Sequence, residues 1–325
     1  MKGRLPTIAR GAAPFILTAL LLWLMLYRVD LHAVLRQLAA IQPAWFLVAV
    51  LLTVLSIAVA TLRYRIVLDT LRPHSSVRFF PLLGLNLLTL FCAHFVPFGA
   101  IADAMRTLLS RRLLNIPVGT ALEGVIADRV LAVVGFALFG LLLLPIQVWL
   151  EWPWQLMTAQ AITFGGSLSF VALGVGVTRY APSFLQPVAK AVRRFAMHVS
   201  GLGDFGRQFG FAAASVALFA ATLIVLGIGL DLRISAGIAL AVSPAIYLSQ
   251  VIPIFYAGFG SREVTVAALL VPSGILTEAD AVALGLSVGL CYLAATLPGA
   301  ASAWPLLRAV GTNAIPQTKE DLIQP

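Results

Sequence analysis

Charged side chains are scarce in this 325-residue chain. Asp, Glu, Lys and Arg together make up 11% of it. A soluble domain carries about 25%, so a soluble core inside a charged shell is excluded. Cysteine is nearly absent. Cys92 and Cys291 both lie within apolar runs, where a thiol behaves as a small hydrophobe, so they report nothing about redox compartment. There is no Cys-x-x-Cys pair and no Cys/His spacing of a metal site. No nucleophile–base pairing is legible, and no polar stretch is long enough for a soluble catalytic domain. The strict alternation of a membrane β-barrel is missing as well.

What the chain does have is hydrophobic length: 60% of its residues are apolar. Several runs approach or exceed the ~20 residues that cross a bilayer as a helix. Backbone polar groups in hydrocarbon must be paired internally, which leaves helices once barrels are excluded. The expected fold class is therefore all-α, a polytopic integral membrane protein. Eight apolar segments are expected, at about 12–27, 45–62, 79–98, 119–145, 157–178, 209–230, 236–256 and 278–307. The first follows a basic flank but no small-x-small cleavage site, and reads as an uncleaved helix. "DLHAVLRQLAAIQPAW" predicts a short interfacial helix with Asp30 as N-cap and Pro43 as stop. "FLQPVAKAVRRFAMH", 184–198, has one apolar and one basic face, which suits either an anionic membrane surface or an ordinary basic loop. Residues 1–310 form one transmembrane domain in this reading, and 311–325 a polar, disordered tail.

The formal net charge is +9. The basic residues sit at the ends of apolar runs, as cytoplasmic loops and anionic headgroups require, so nucleic acid is not an expected partner. Two stretches resemble each other. In "HFVPFGAIADAMR" Pro97 precedes Arg106 by nine residues; in "SQVIPIFYAGFGSREV" Pro253 precedes Arg262 by nine. Glycine lies between in both, an acid lies near each arginine (Asp103 and Glu263), and another proline and an apolar run follow. Interrupted segments at matching positions of two halves point to a transporter binding site. Topology agrees. With eight crossings, ten basic residues fall inside and eleven outside. If both broken segments are re-entrant, seventeen fall inside and four outside. Six crossings and two hairpins of opposite direction, an inverted arrangement, are therefore expected, with both termini in the cytoplasm.

Ionisable residues inside apolar segments cost about 2.5–3.5 kcal/mol each on insertion scales and mark function by default. The candidate substrate-binding residues are Arg106, Arg129, Arg262, Asp103, Asp128, Glu263, Asn86, Pro97 and Pro253. Asp103 and Arg106 are three apart and share a helical face. Asp128–Arg129 reads either as a structural ion pair or as a phosphate-reading arginine with its partner. Arg262 and Glu263 open a helix, where backbone N–H groups favour anions and an acid caps. Asn86 and His94 suit interhelical hydrogen bonds as well as a ligand. Arg63 and Arg65 read as positive-inside anchors.

These motifs, "VPFGAIADAMR", "VIADRVLAVV" and "VIPIFYAGFGSREV", together with "TLRYRIVLDTL", resemble the flippase-like transmembrane region of lysylphosphatidylglycerol synthase, also called uncharacterised family 0104. The similarity runs over about residues 10–308. Ala102 stands where the family often has Gly, and Asp128 where it often has Glu. The resemblance implies a stand-alone form without the aminoacyl-transferase domain, in the plasma (inner) membrane. It implies a carrier, with no catalytic residue, cofactor or metal, for a membrane lipid or a polyprenyl-phosphate-linked substrate. Alternatives are a membrane-embedded transferase with Asp103 or Glu263 as base, and a non-catalytic partner of a lipid-modifying enzyme.

Overall fold

In the computed structural model, residues 30–71, 77–95, 99–177, 202–251 and 260–312 are described. The first apolar segment, the 184–198 stretch, Pro97, Pro253 and residues 313–325 of the polar tail lie outside them, while Gly311 and Thr312, expected in the tail, end the last helix. Ten helices and no strand occur among the described residues. They are α1 (Leu31–Ala39), α2 (Pro43–Leu71), α3 (Phe79–Ala93), α4 (Gly99–Leu114), α5 (Val118–Trp149), α6 (Trp154–Val177), α7 (Leu202–Gly229), α8 (Ala236–Val251), α9 (Ser261–Leu270) and α10 (Glu278–Thr312).

Local chemistry sets the ends. Asp30 caps α1, its Oδ1 accepting from the His32 N–H at 2.9 Å. Pro43 stops α1 and also starts α2, where its missing N–H has no partner to lose. α7 begins seven residues ahead of its expected apolar start, because an Asp204–Arg207 pair at 2.8 Å carries the first turns through the interface. Four helices close with an N–H bonded to the carbonyl five residues back: Ile116 to Arg111, Trp152 to Gln147, Leu232 to Gly227 and Ile275 to Leu270. Asn115, Glu151, Asp231 and Gly274 take the required positive φ.

Among the described residues five helices are long and apolar enough to cross a membrane: α2, α5, α6, α7 and α10. α3 and α8, with 15 and 16 residues, are apolar but short. At 1.5 Å per residue they reach about 22–24 Å, less than the ~30 Å of a hydrocarbon core. Each instead packs on the helix that follows it, α3 on α4 and α8 on α9. Leu47, Leu51 and Leu55, four residues apart on α2, stay exposed as a lipid-facing stripe.

Helix packing repeats itself when α1–α5 are exchanged with α6–α10. α2 packs on α3, α5 and α10, and α7 packs on α8, α10 and α5. α3 packs on α10, and α8 on α5. α4 packs on α5, α9 on α10, α1 on α10 and α6 on α5, while α2 and α7 pack on each other. The two hairpins enter from opposite faces. Val77 and Leu82 at the start of α3 cluster with Leu68 near the end of α2 and Ala121 near the start of α5. Gly237 at the start of α8 lies instead against Ile146 and Leu150, at the other end of α5. Among the described residues the helices thus form an inverted pair of five-helix units around a core shared by α5, α7, α8 and α10.

Candidate polar site within the membrane

The first hairpin brings its charges to the middle of the first unit. Asp128 lies ten residues into α5, about 15 Å along its axis. Its two oxygens are divided between two arginines. Arg63 of α2 donates through Nε to Oδ1 at 2.9 Å, and Arg106 of α4 donates through Nη1 to Oδ2 at 2.8 Å. The three side chains are 7%, 12% and 5% exposed for Arg63, Arg106 and Asp128. Arg106 also donates through Nε to Asn86 Oδ1 at 3.0 Å, and Asn86 Nδ2 donates to Thr61 Oγ1 at 2.9 Å. The guanidinium of Arg106 lies 3.7 Å from the centre of the Tyr64 ring, a cation–π contact. Tyr64 in turn shares a 3.0 Å hydrogen bond with Ser110. Every helix from α2 to α5 therefore contributes to one network.

Beside it lies a more open pair. Arg129 donates through Nη2 to Asp103 Oδ1 at 2.8 Å, with the side chains 40% and 26% exposed. The pairing differs from the sequence expectation. Asp103 does not orient Arg106, and Asp128 does not pair with Arg129. Consecutive helical residues point about 100° apart, so Asp128 turns toward α2 and α4 while Arg129 turns to Asp103. Among these five side chains three arginines face two aspartates, which leaves one excess positive charge. Fixed guanidinium forks at this depth suit a phosphate or carboxylate.

The second hairpin has a simpler, closed cluster. Gly260 precedes α9 with φ 87°, a conformation open to glycine. The Gly260 N–H donates to Glu263 Oε2 at 2.7 Å, and Arg262 Nη2 donates to Glu263 Oε1 at 2.6 Å. Arg262 Nε also donates to the Gly285 carbonyl of α10 at 2.9 Å. Arg262 and Glu263 are 2% and 0% exposed. Each hairpin arginine thus reaches the long helix that follows its hairpin, Arg106 to a carboxylate and Arg262 to a backbone oxygen.

Sequence reasoning named these residues singly, and the structure brings Arg106, Asp128 and Asn86 to one cluster, sets Arg129 and Asp103 beside it, and places Arg262 and Glu263 at the matching place in the second unit. Pro97 and Pro253 lie outside the described residues. It missed Arg63, which is a buried ligand of Asp128 and no surface anchor. The signal was its position: Arg63 follows a long apolar run and lies two residues after Thr61, which holds Asn86. Arg65, by contrast, is partly exposed, 3.6 Å from Asp69. Among the described residues, no three His, Cys, Asp or Glu side chains group closely enough to hold a metal.

A family model described as the lysylphosphatidylglycerol synthase TM region matches residues 11–299. No curated protein sequence matches the chain significantly.

Proposed function

The chain belongs to the family of lysylphosphatidylglycerol synthase transmembrane regions, and from that premise we propose that it is a flippase-like carrier and no catalyst. A membrane-lipid-related function follows from the family. The finer reading is that the carrier binds the polar head of an amphipathic lipid or polyprenyl-phosphate-linked substrate within the membrane and passes it across.

The observation that carries this reading is the inverted pair of hairpins, each holding an arginine bonded to the long helix that follows it. Irregular backbone at membrane depth survives where protein or a polar cavity surrounds it. In carriers such hairpins line the substrate path. The excess positive charge lies with Arg63 and Arg106, which share Asp128, and it favours an anionic head at the neighbouring, partly exposed Arg129. When a phosphate displaces Asp103 from Arg129, the ligand makes contacts in one state that it lacks in the other, as a population shift requires.

The membrane is the plasma (inner) membrane in this proposal. Exposed Arg78, Arg111 and Arg112 gather where the first hairpin enters, and exposed Glu151, Asp231 and Glu278 on the opposite face. By the positive-inside rule the first face is cytoplasmic; the C-terminal end of α10 lies there, and with the crossing expected of the first apolar segment the N-terminus is placed there too. A lipid-modifying enzyme that supplies the substrate is the proposed partner.

The test is a vesicle assay with purified protein and labelled phospholipids or polyprenyl phosphates. Wild type is compared with Arg129→Ala, Arg129→Lys and Arg262→Ala, each checked for folding. Headgroup-selective translocation that falls at least about tenfold in Arg129→Ala is expected, the loss of roughly 1.4 kcal/mol of binding. Equal translocation in all variants, or none with any lipid, overturns the proposal. Turnover of a polyprenyl-phosphate donor by pure protein would move it to a transferase.

A further inference from the structure

One face of α4 is left uncovered by the rest of the chain. Ile101, Ala104, Leu108, Arg111 and Arg112 are all exposed, Ile101 by 41% and Leu108 by 51%. At about 100° per residue these positions fall within roughly 100° of one another around the helix. Ala102, Thr107 and Ser110, on the other side, are buried. The stripe is apolar in its first turns and basic at its end, since Arg111 and Arg112 occupy the last turn. Asp103 borders it beside Ala104, eight residues before Arg111, or about 12 Å along the axis. The side of α5 that carries Arg129 is similar. Val118, Leu122 and Ile126 precede Arg129 by eleven, seven and three residues, so they share its face. Val118 is exposed and the other two are partly so. The ion pair at the inner end of this path has spare capacity. Arg129 gives both Nε, at 3.3 Å, and Nη2, at 2.8 Å, to one oxygen, Asp103 Oδ1. Among the described residues Arg129 Nη1 and Asp103 Oδ2 have no partner, and the guanidinium groups of Arg111 and Arg112 have none. Arginines in a last turn also suit the helix dipole and the positive-inside rule. Neither reason requires an open apolar face leading from them to a half-satisfied ion pair.

We infer that a lipid of the cytoplasmic leaflet with an anionic phosphate head reaches Arg129 sideways along this face of α4, gathered first by Arg111 and Arg112. The inference rests on the carrier reading and names how that carrier's substrate enters. The two arginines lie at headgroup level, where basic side chains attract anionic lipids. The head then moves inward past Ala104, whose single methyl leaves the way open, while the chains stay in the bilayer against Ile101 and Leu108. At the inner end Arg129 Nη1 is an unused donor, so the phosphate is held before the contact with Asp103 breaks. A phosphate that carries its own cation, as in phosphatidylcholine, is attracted less by either arginine site.

Lipid enrichment on α4 is read without any transport. In a background without Cys92 and Cys291, Leu108→Cys carries a bimane label, and the purified protein is placed in vesicles containing bromine-tailed phosphatidylglycerol or phosphatidylcholine. The association constant from quenching is expected to favour phosphatidylglycerol at least about fivefold, the effect of one basic side chain at an anionic surface. Arg111→Gln with Arg112→Gln should make the two lipids quench alike, and Arg111→Lys with Arg112→Lys should keep the preference. A label at Ile162→Cys on α6, 74% exposed, should show none. Equal quenching by both lipids at Leu108→Cys, a preference that survives the Gln pair, or the same preference at Ile162→Cys overturns the inference. So does relief of the quench by inorganic phosphate beyond that by chloride at equal ionic strength, which would make the ligand a soluble anion. Ala104→Trp sets an indole on the path. It should keep the preference at Leu108→Cys and bring translocation of labelled phosphatidylglycerol near the protein-free rate. Wild-type translocation by Ala104→Trp overturns sideways entry and leaves the carrier reading standing. A preference at Leu108→Cys without translocation of any lipid overturns the carrier reading alone.

Discussion

At the residue scale, the two aspartates of the first unit do different things, and burial separates them. Asp128 neutralises two nearly buried arginines. Removing one partner of a buried ion pair costs about 3–5 kcal/mol, because the remaining charge is left uncompensated. Asp128→Asn leaves Arg63 and Arg106 facing each other without a carboxylate, so a loss of that order and a lower melting temperature in detergent are expected. Asp103 and Arg129 are partly exposed, and such pairs contribute about 0–1 kcal/mol. Asp103→Asn should therefore melt close to wild type while altering headgroup binding. Equal melting of the two variants would contradict this division. Sequence alone identified both acids but could not assign their partners. Arg106 lies three residues from Asp103 and twenty-two from Asp128, and separation along the chain favours the wrong choice. The long reach of Arg63 across from α2 had no local cue beyond its depth in an apolar run.

At the element scale, close approach of backbones decides where a side chain is tolerated. A Cβ on Gly299 of α10 would lie 2.3 Å from the carbonyl carbon of Leu87 and 2.5 Å from its oxygen, both backbone atoms of α3. Neither can yield without moving a helix, so Gly299→Ala is expected to destabilise by about 1–3 kcal/mol and to loosen the first hairpin from α10. Gly124→Ala meets the Leu68 Cδ2 at 2.8 Å, the end of a flexible side chain. The helix-propensity gain of Ala over Gly, about 1 kcal/mol, offsets that adjustment, and melting should change little. Thermal melts of the two variants side by side check the contrast. Helices α2, α5, α6, α7 and α10 were legible as apolar runs of spanning length. α4 was less so, since its sequence from Gly99 to Leu114 mixes apolar and charged residues. Its helix follows from packing against α3 and α5, which a single-sequence pattern does not contain.

At the scale of the whole molecule, the repeat was visible in the sequence only through its punctuation: proline, glycine and arginine at matched spacing. The helices between carry no matching residues to compare, because lipid-facing apolar positions accept many side chains. What repeats is the order of packing partners, and that order fixes a topology that can be read from outside. With two hairpins entering from opposite faces, Arg78 and Arg112 lie on one side of the membrane and Asp231 on the other. If all eight apolar segments crossed, Arg78 and Asp231 would share a side and Arg112 would lie opposite them. Single cysteines at these three positions, in a background without Cys92 and Cys291, distinguish the two arrangements with an impermeant thiol reagent on sealed vesicles. Arg78→Cys and Arg112→Cys are expected to label from the same side and Asp231→Cys from the other. All three positions are exposed, so a site that resists labelling from both sides would contradict the fold itself. Co-labelling of Arg78→Cys with Asp231→Cys would remove the inverted hairpins, and with them the reason for placing Arg106 and Arg262 at equivalent depths.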